Sequence, residues 1–337
     1  MNRSADVLLS VEGLKTHFAS RRHHGVVKAV DGVDLAISRG GSLGLVGESG
    51  SGKSTVARTI VRLEDPTDGR IIFDGVDLAS LSGAALRRIR RRVQMVFQDP
   101  YASLNPRMRL GDIVAEPFTL HEGMNKQEAW QAAVGLLARV GLDRDSAVRY
   151  PHEFSGGQRQ RVGVARAVAA KPDLIVADEP VSALDVSIRA QLLNLLKDLQ
   201  EEFQLTYLFI SHDLSVVRYV CDRVAIMYLG RIVEEGDCDA IFESPRHPYT
   251  RALLSAVPIA DPDLERQRVA QLLPGEMPSP LSPPSGCRFH TRCPVAVPQC
   301  AQVDPPFVIV GSGHRAACLL VADEERVALA SVPAGSA

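Results

Sequence analysis

The chain has 337 residues, with 38 lysines and arginines against 40 aspartates and glutamates, a formal net charge of −2 and six cysteines. That length exceeds one average domain and can bury a large core, while the balanced charge supplies no global field toward nucleic acid. No run reaches the ~18 apolar residues a membrane span needs, and Met1–Asp6 lacks the apolar centre of a signal peptide. The expectation is a cytoplasmic protein that binds no nucleic acid and whose cysteines do not form structural disulfides.

In chain order, residues 7–18 alternate as a first strand ending on Phe18, and Val26–Ile37 gives two short strand candidates around the turn signal Asp31-Gly32. The loop between them is polar, and its pair His23-His24 reads as solvated. Ser42–Val46 is an apolar run of buried-strand type. Gly47-Glu48-Ser49-Gly50-Ser51-Gly52-Lys53-Ser54 follows, matching G-x-x-x-x-G-K-[ST] in full, and Thr55–Val61 continues as a helix start. Three glycines let the backbone bend tightly and aim N–H groups at a phosphate, beside the positive end of the helix. Lys53 would reach the β- and γ-phosphates, and the Ser54 hydroxyl would ligate Mg²⁺.

Asp65–Gly69 is a turn, Arg70–Phe73 a strand, and Leu86–Arg92 carries five arginines around Ile89, best read as a solvated helix face. Val93–Phe97 is a buried strand ending at Gln98. Residues 111–140 have helical spacing, and Arg159–Ala170 is a strong helix opened by Ser155-Gly156-Gly157-Gln158. That opening suits an anion nest, although by itself it also suits an ordinary capped turn. Leu174–Ala177 is an apolar strand closing on Asp178 and Glu179, 125 residues after Lys53 in the case of Asp178. Asp178 can hold Mg²⁺ beside Ser54, and Glu179 can polarise an attacking water. Ile188–Glu202 is an amphipathic helix and Leu205–Ile210 a strand closing on Ser211-His212-Asp213. Strands alternating with helices imply a mostly parallel α/β sheet with ligands at the carboxyl ends of its strands. After Pro245 the composition turns proline-rich, which suggests an appended, loop-rich element, and the last residues read as a loose tail.

Phe154–Gln158, lying after the phosphate loop and just before Leu174–Pro180, resembles the signature of ABC-type ATPases. Ser182-Ala183-Leu184-Asp185 resembles that family's D-loop, His212 its switch histidine, Gln98 its Q-loop glutamine, and Phe18 the aromatic that stacks on adenine, with residues 20–25 as an insertion. The resemblance covers residues 7 to about 243. It implies a P-loop NTPase with a mixed-sheet core and antiparallel β subdomain at 7–97, a helical signature subdomain at 98–167, the second half of the core at 168–244, an extension at 245–325 and a tail at 326–337. Two such chains would pair head to tail. ATP and Mg²⁺ would lie among Gly47–Thr55, Gln98, Asp178, Glu179 and His212 of one chain and Ser155–Gln158 of the other, with Gln98 also reaching the metal.

Residues 98–107, Tyr150–Phe154 and His247-Pro248-Tyr249-Thr250 resemble the oligopeptide/dipeptide importers, in particular their F-type subunit beside a D-type partner. This implies a heterodimer on the cytoplasmic face of the inner membrane, beneath two membrane permease subunits served by an extracytoplasmic solute-binding protein. Related importers move nickel or other small solutes. A non-transport ABC ATPase and a regulatory module without hydrolysis are the competing classes.

Cys287, Cys293, Cys300 and Cys318 are spaced C-x5-C-x6-C-x17-C, without C-x2-C pairs, in irregular chain. Three readings stay open: an iron–sulfur cluster, zinc, and buried free thiols, with His290 and His314 near enough in sequence to be alternative ligands. In some members of the importer subfamily this extension carries a [4Fe–4S] cluster, so the resemblance implies one here. Cys221 and Cys238 read as small apolar residues of the core.

Overall fold

The computed structural model describes residues 6–20, 25–257, 266 and 273–323. His23-His24 and the tail at 326–337 lie outside the described residues. The chain begins with strands β1 (Val7–Ser20), β2 (Gly25–Ser38) and β3 (Ser42–Val46), then helix α1 (Lys53–Ile60) and strands β4 (Asp68–Phe73) and β5 (Val76–Asp77). Helix α2 (Gly83–Arg92), strand β6 (Val93–Val96) and helices α3 (Pro100–Ser103), α4 (Leu110–Glu122), α5 (Lys126–Arg139) and α6 (Gly156–Ala169) come next. The second half runs β7 (Leu174–Asp178), α7 (Val186–Phe203), β8 (Thr206–Ser211), α8 (Leu214–Val220), β9 (Arg223–Tyr228) and β10 (Arg231–Asp237). Helices α9 (Cys238–Glu243) and α10 (Pro248–Ser255) and strands β11 (Phe307–Gly311) and β12 (His314–Ala317) complete it.

Two sheets organise the described residues. Strands β2-β1-β4-β5 form an antiparallel four-stranded sheet. The central sheet has the order β11-β12-β10-β9-β3-β8-β7-β6, with neighbours from β9 to β6 parallel and the other three pairings antiparallel. β3, β7 and β8 are buried at every position, as near-continuous apolar strands covered on both faces must be. One apolar core joins the small sheet, α1 and one face of the central sheet; a second fills the other face beneath α4–α8.

Two departures from the sequence pattern have local causes. β2 is one strand, not two, because Gly32 takes a φ of +91° and the register with β1 slips between Leu14↔Val33 and Lys15↔Asp31 instead of breaking. The helical stretch after Gly111 divides at Gly123, whose φ of +67° stops α4, while the Asn125–Glu128 capping box starts α5. The proline-rich segment does more than loop: β12 pairs with β10 and carries β11 at the sheet edge. α2 buries none of its residues. Its arginines bridge other elements, Arg91 to Glu122 and Arg92 to Asp74 and Asp173, both at 2.6 Å.

Candidate active site

The site begins where β3 runs out. Gly52, the N-cap of α1, has φ +109°, and a Cβ there would come within 2.2 Å of the Ala29 carbonyl oxygen, so glycine is required twice over. No side chain caps α1. Its first N–H groups therefore face the cleft as anion donors. Lys53 is buried, and its ammonium donates to the Gly47 carbonyl at 2.7 Å, the Glu48 carbonyl at 2.8 Å and Ser51 Oγ at 3.3 Å. Burial pushes its pKa down, while Glu179, Asp178 and Glu48 work in the opposite sense. Its hydrogen bonds thus hold the lysine over its own loop, ready to exchange carbonyls for phosphate oxygens.

The parallel register brings the acids to it. β7 and β3 flank β8, so the carboxyl end of β7 stands beside the loop. Ser54 Oγ donates to Asp178 Oδ1 at 2.9 Å. Burial raises the pKa of Asp178, against the Ser54 hydrogen bond and the charges of Arg58 and Lys53. Glu179 has φ +46°, an uncommon backbone for a residue with a side chain, and its N–H donates to the Ile210 carbonyl at 3.0 Å. That turn aims the carboxylate across the cleft, where Oε2 accepts from Gln98 Nε2 at 3.0 Å and lies 3.2 Å from His212 Nδ1.

Gly47, Glu48, Ser49, Gly50, Gly52, Lys53, Ser54, Thr55, Gln98, Glu179 and His212 line one cleft of about 710 Å³. Ser51 is buried behind the loop, and Asp178 joins through Ser54. Phe18 does not line the cleft among the described residues. It stands half-exposed on β1 opposite Val27, and the apolar wall is instead Val27, Ala29, Leu253 and Pro280. Ser155, Gly156, Gly157 and Gln158 lie apart from the cleft, at the start of α6. There Ser155 Oγ accepts the Gln158 N–H at 3.3 Å and Gln158 Oε1 accepts the Ser155 N–H at 3.0 Å. Asp185 is exposed at the start of α7, also away from the cleft.

The expected iron–sulfur or other metal centre at Cys287, Cys293, Cys300 and Cys318 is not formed. Among the described residues no group of three or more His, Cys, Asp or Glu side chains could hold a metal ion. The four are free thiols, Cys287 and Cys293 half-buried, and burial pushes the Cys287 thiol up to about 11 and raises Cys293. Cys300 and Cys318 are buried, and the Cys287 N–H donates to the Cys300 carbonyl at 2.8 Å, closing the segment by backbone pairing. The alternative ligands are engaged elsewhere, His290 Nδ1 at 2.8 Å from the Cys287 carbonyl and His314 Nε2 at 2.8 Å from Glu234 Oε1.

Residues 30–182 match the family model for ABC transporters, and 233–300 the model for the C-terminal region of oligopeptide/dipeptide transporters. The chain is 53% identical over 323 residues to the oligopeptide transport ATP-binding protein AppF of Bacillus subtilis, covering 94% of this chain and 98% of that one. The chain belongs to the ABC transporter family. The Escherichia coli oligopeptide transport ATP-binding protein OppF is 52% identical over 324 residues, 94% of this chain and 96% of its own. Among solved structures, a dimeric post-hydrolysis state of the ATP-binding cassette MJ0796 bound to ADP and Pi superposes with a TM-score of 0.63 at 30% identity, covering 68% of this chain and 98% of that chain. The protein is therefore an ABC ATPase, an α/β P-loop enzyme that hydrolyses ATP. Among its described residues no helix is long and apolar enough to cross a membrane.

Sequence reasoning missed part of the ABC ATPase site. Leu253 and Pro280 reach the cleft from the C-terminal segment, Tyr249 Oη accepts the Glu48 N–H at 3.0 Å, and Arg292 Nη1 lies 3.1 Å from both carboxylate oxygens of Glu48. The His247–Thr250 run was visible as a resemblance; its contact with the phosphate loop was not.

Proposed function

We propose that this ABC ATPase powers the import of di- or oligopeptides, binding MgATP in the cleft between the phosphate loop and the end of β7. The observation that carries the reading is the convergence of Lys53, Ser54, Gln98, Glu179 and His212 on one cleft, in a chain about half identical over nearly its whole length to oligopeptide transport ATP-binding proteins.

The donor set fits a magnesium nucleotide: a hydroxyl already paired with a buried carboxylate, and an amide nearby, are hard oxygen ligands. Ser54, Asp178 and Gln98 would hold Mg²⁺, and the ion would supply positive charge to offset that of the phosphates. Lys53 transfers its hydrogen bonds from the loop carbonyls to the β- and γ-phosphates. Glu179 orients a water and accepts its proton as the water oxygen attacks the γ-phosphorus. The bond to the β-phosphate oxygen breaks, leaving ADP and phosphate. His212 contacts the γ-phosphate, and Phe18, paired opposite the cleft residue Val27, stacks on the base.

Ser155–Gln158 and Asp185 serve the nucleotide of a second subunit in a head-to-tail pair, a D-type chain in the heterodimeric arrangement. Two permease subunits hold the pair at the cytoplasmic face of the inner membrane, and a solute-binding protein delivers the peptide. Domain roles follow: 7–97 and 168–244 form the nucleotide core, 98–167 presents the signature segment, and 245–325 completes the subunit. The test is uptake of a labelled peptide by cells that carry the full importer with this subunit as its source of this ATPase. Lys53→Ala should abolish uptake with the subunit still at the membrane. Undiminished uptake would overturn the reading.

A further inference from the structure

We infer that Arg292 is a positioning residue for nucleotide binding: it holds the Glu48 carboxylate back from the phosphates and ties the C-terminal segment to the phosphate loop. The inference rests on the cleft being the ATP site. Glu48 is the second residue of the loop and lines the cleft, where a mobile carboxylate would repel a polyphosphate. Each of its polar groups is engaged. The N–H donates to Tyr249 Oη at 3.0 Å, the carbonyl accepts from Lys53 Nζ at 2.8 Å, and both carboxylate oxygens lie 3.1 Å from Arg292 Nη1.

The anchor behind Glu48 is rigid. The Arg292 side chain is 8% exposed, and its Nε donates to the Pro274 carbonyl at 3.2 Å. Tyr249 is wholly buried, with its ring 4.8 Å from that of Tyr228 and 5.3 Å from that of Phe289. Residues of the C-terminal segment thus reach the phosphate-binding amine through one residue, along the line Arg292–Glu48–Lys53. Losing Arg292 leaves a carboxylate free to swing into a cleft built for anions, and the damage should fall on nucleotide affinity.

The test measures the Kd of the full-length chain for the magnesium complex of a non-hydrolysable ATP analogue. Arg292→Gln should weaken binding about tenfold, since a nearby charge pair is worth that order of affinity. Arg292→Lys, which keeps the charge, should lose distinctly less. Glu48→Gln alone should tighten binding, and Arg292→Gln combined with Glu48→Gln should recover the affinity that Arg292→Gln loses. A purely structural role predicts instead a lower melting temperature with no rescue by Glu48→Gln, and that result overturns the proposal. If Arg292→Gln does not fold, Glu48→Gln decides alone, and weaker binding by it is the contrary outcome. Lys53→Ala separates the two levels. Analogue binding that ignores Lys53 sinks the ATP site itself, whereas Lys53-dependent binding unmoved by Arg292→Gln sinks this inference alone.

Discussion

Gly47–Thr55 and Ser155–Gln158 are both glycine-bearing segments that open a helix, yet the fold finishes only the first. α1 starts without a side-chain cap, has a buried lysine threaded through its loop, and faces Glu179, Gln98 and His212 across the cleft. α6 starts with a closed capping box, its serine hydroxyl and glutamine amide spent on each other's backbone, on an exposed surface. The first arrangement is unsatisfied without an anion; the second is already satisfied as a helix end. A segment that is pre-capped, outward-facing and remote from its own chain's nucleotide is suited to close over the nucleotide of another.

The largest effect should come from the finished loop. Lys53→Ala removes the cation and should lower ATP hydrolysis by at least about 100-fold and weaken MgATP binding in parallel, read by phosphate release and calorimetry. Gly156→Asp breaks the comparison from the other side. Its Cβ has room, with Leu184 Cδ2 nearest at 4.0 Å, and a carboxylate at a helix N-terminus does not harm the helix. Hydrolysis by the assembled importer should fall about 100-fold, as a donor surface turns repulsive, while MgATP affinity of the isolated chain stays within about twofold. If both fall together, the two segments serve one chain's site.

Much of this was legible because it is local. The phosphate loop, the Asp178-Glu179 strand end and the Ser155–Gln158 cap are each set by a few adjacent residues, and alternating strands and helices order the first two along one sheet edge. What was not legible depends on contacts between distant residues. Tyr249 meets Glu48 across 201 positions and Arg292 across 244, separations that no periodicity encodes. The wall of Val27, Ala29, Leu253 and Pro280 likewise needs the fold before it exists. Spacing misled at the cysteines, because four thiols in a short stretch do not by themselves make a ligand set, and the fold leaves them as free thiols.

Two smaller effects sharpen the contrast between the core and the segment that braces it. Burial pushes His247 down from 6.5 to about 4, so it stays neutral in the folded chain. Between those values the unfolded chain takes up a proton that the folded chain refuses, so stability is present above pH 6.5 and drains away as pH falls toward 4. Glu234, whose pKa lies below its ordinary value through His314 and backbone donors despite burial, acts in the same direction at lower pH. Denaturant melts from pH 7 to 5 should show a slope approaching about one proton, and His247→Asn, which keeps a cap for the Tyr249 N–H, should flatten it. The smallest change is Ser155→Ala, which should cost about 1 kcal/mol of stability through the lost cap.

The central claim is that Glu179, turned into the cleft by its positive φ, performs the chemistry on a nucleotide that the Lys53 loop binds. ATP turnover of Glu179→Gln, with MgATP binding measured on the same preparation, tests it directly. The account predicts turnover reduced by about 100-fold or more with the nucleotide still bound. Turnover equal to the unsubstituted protein would contradict it.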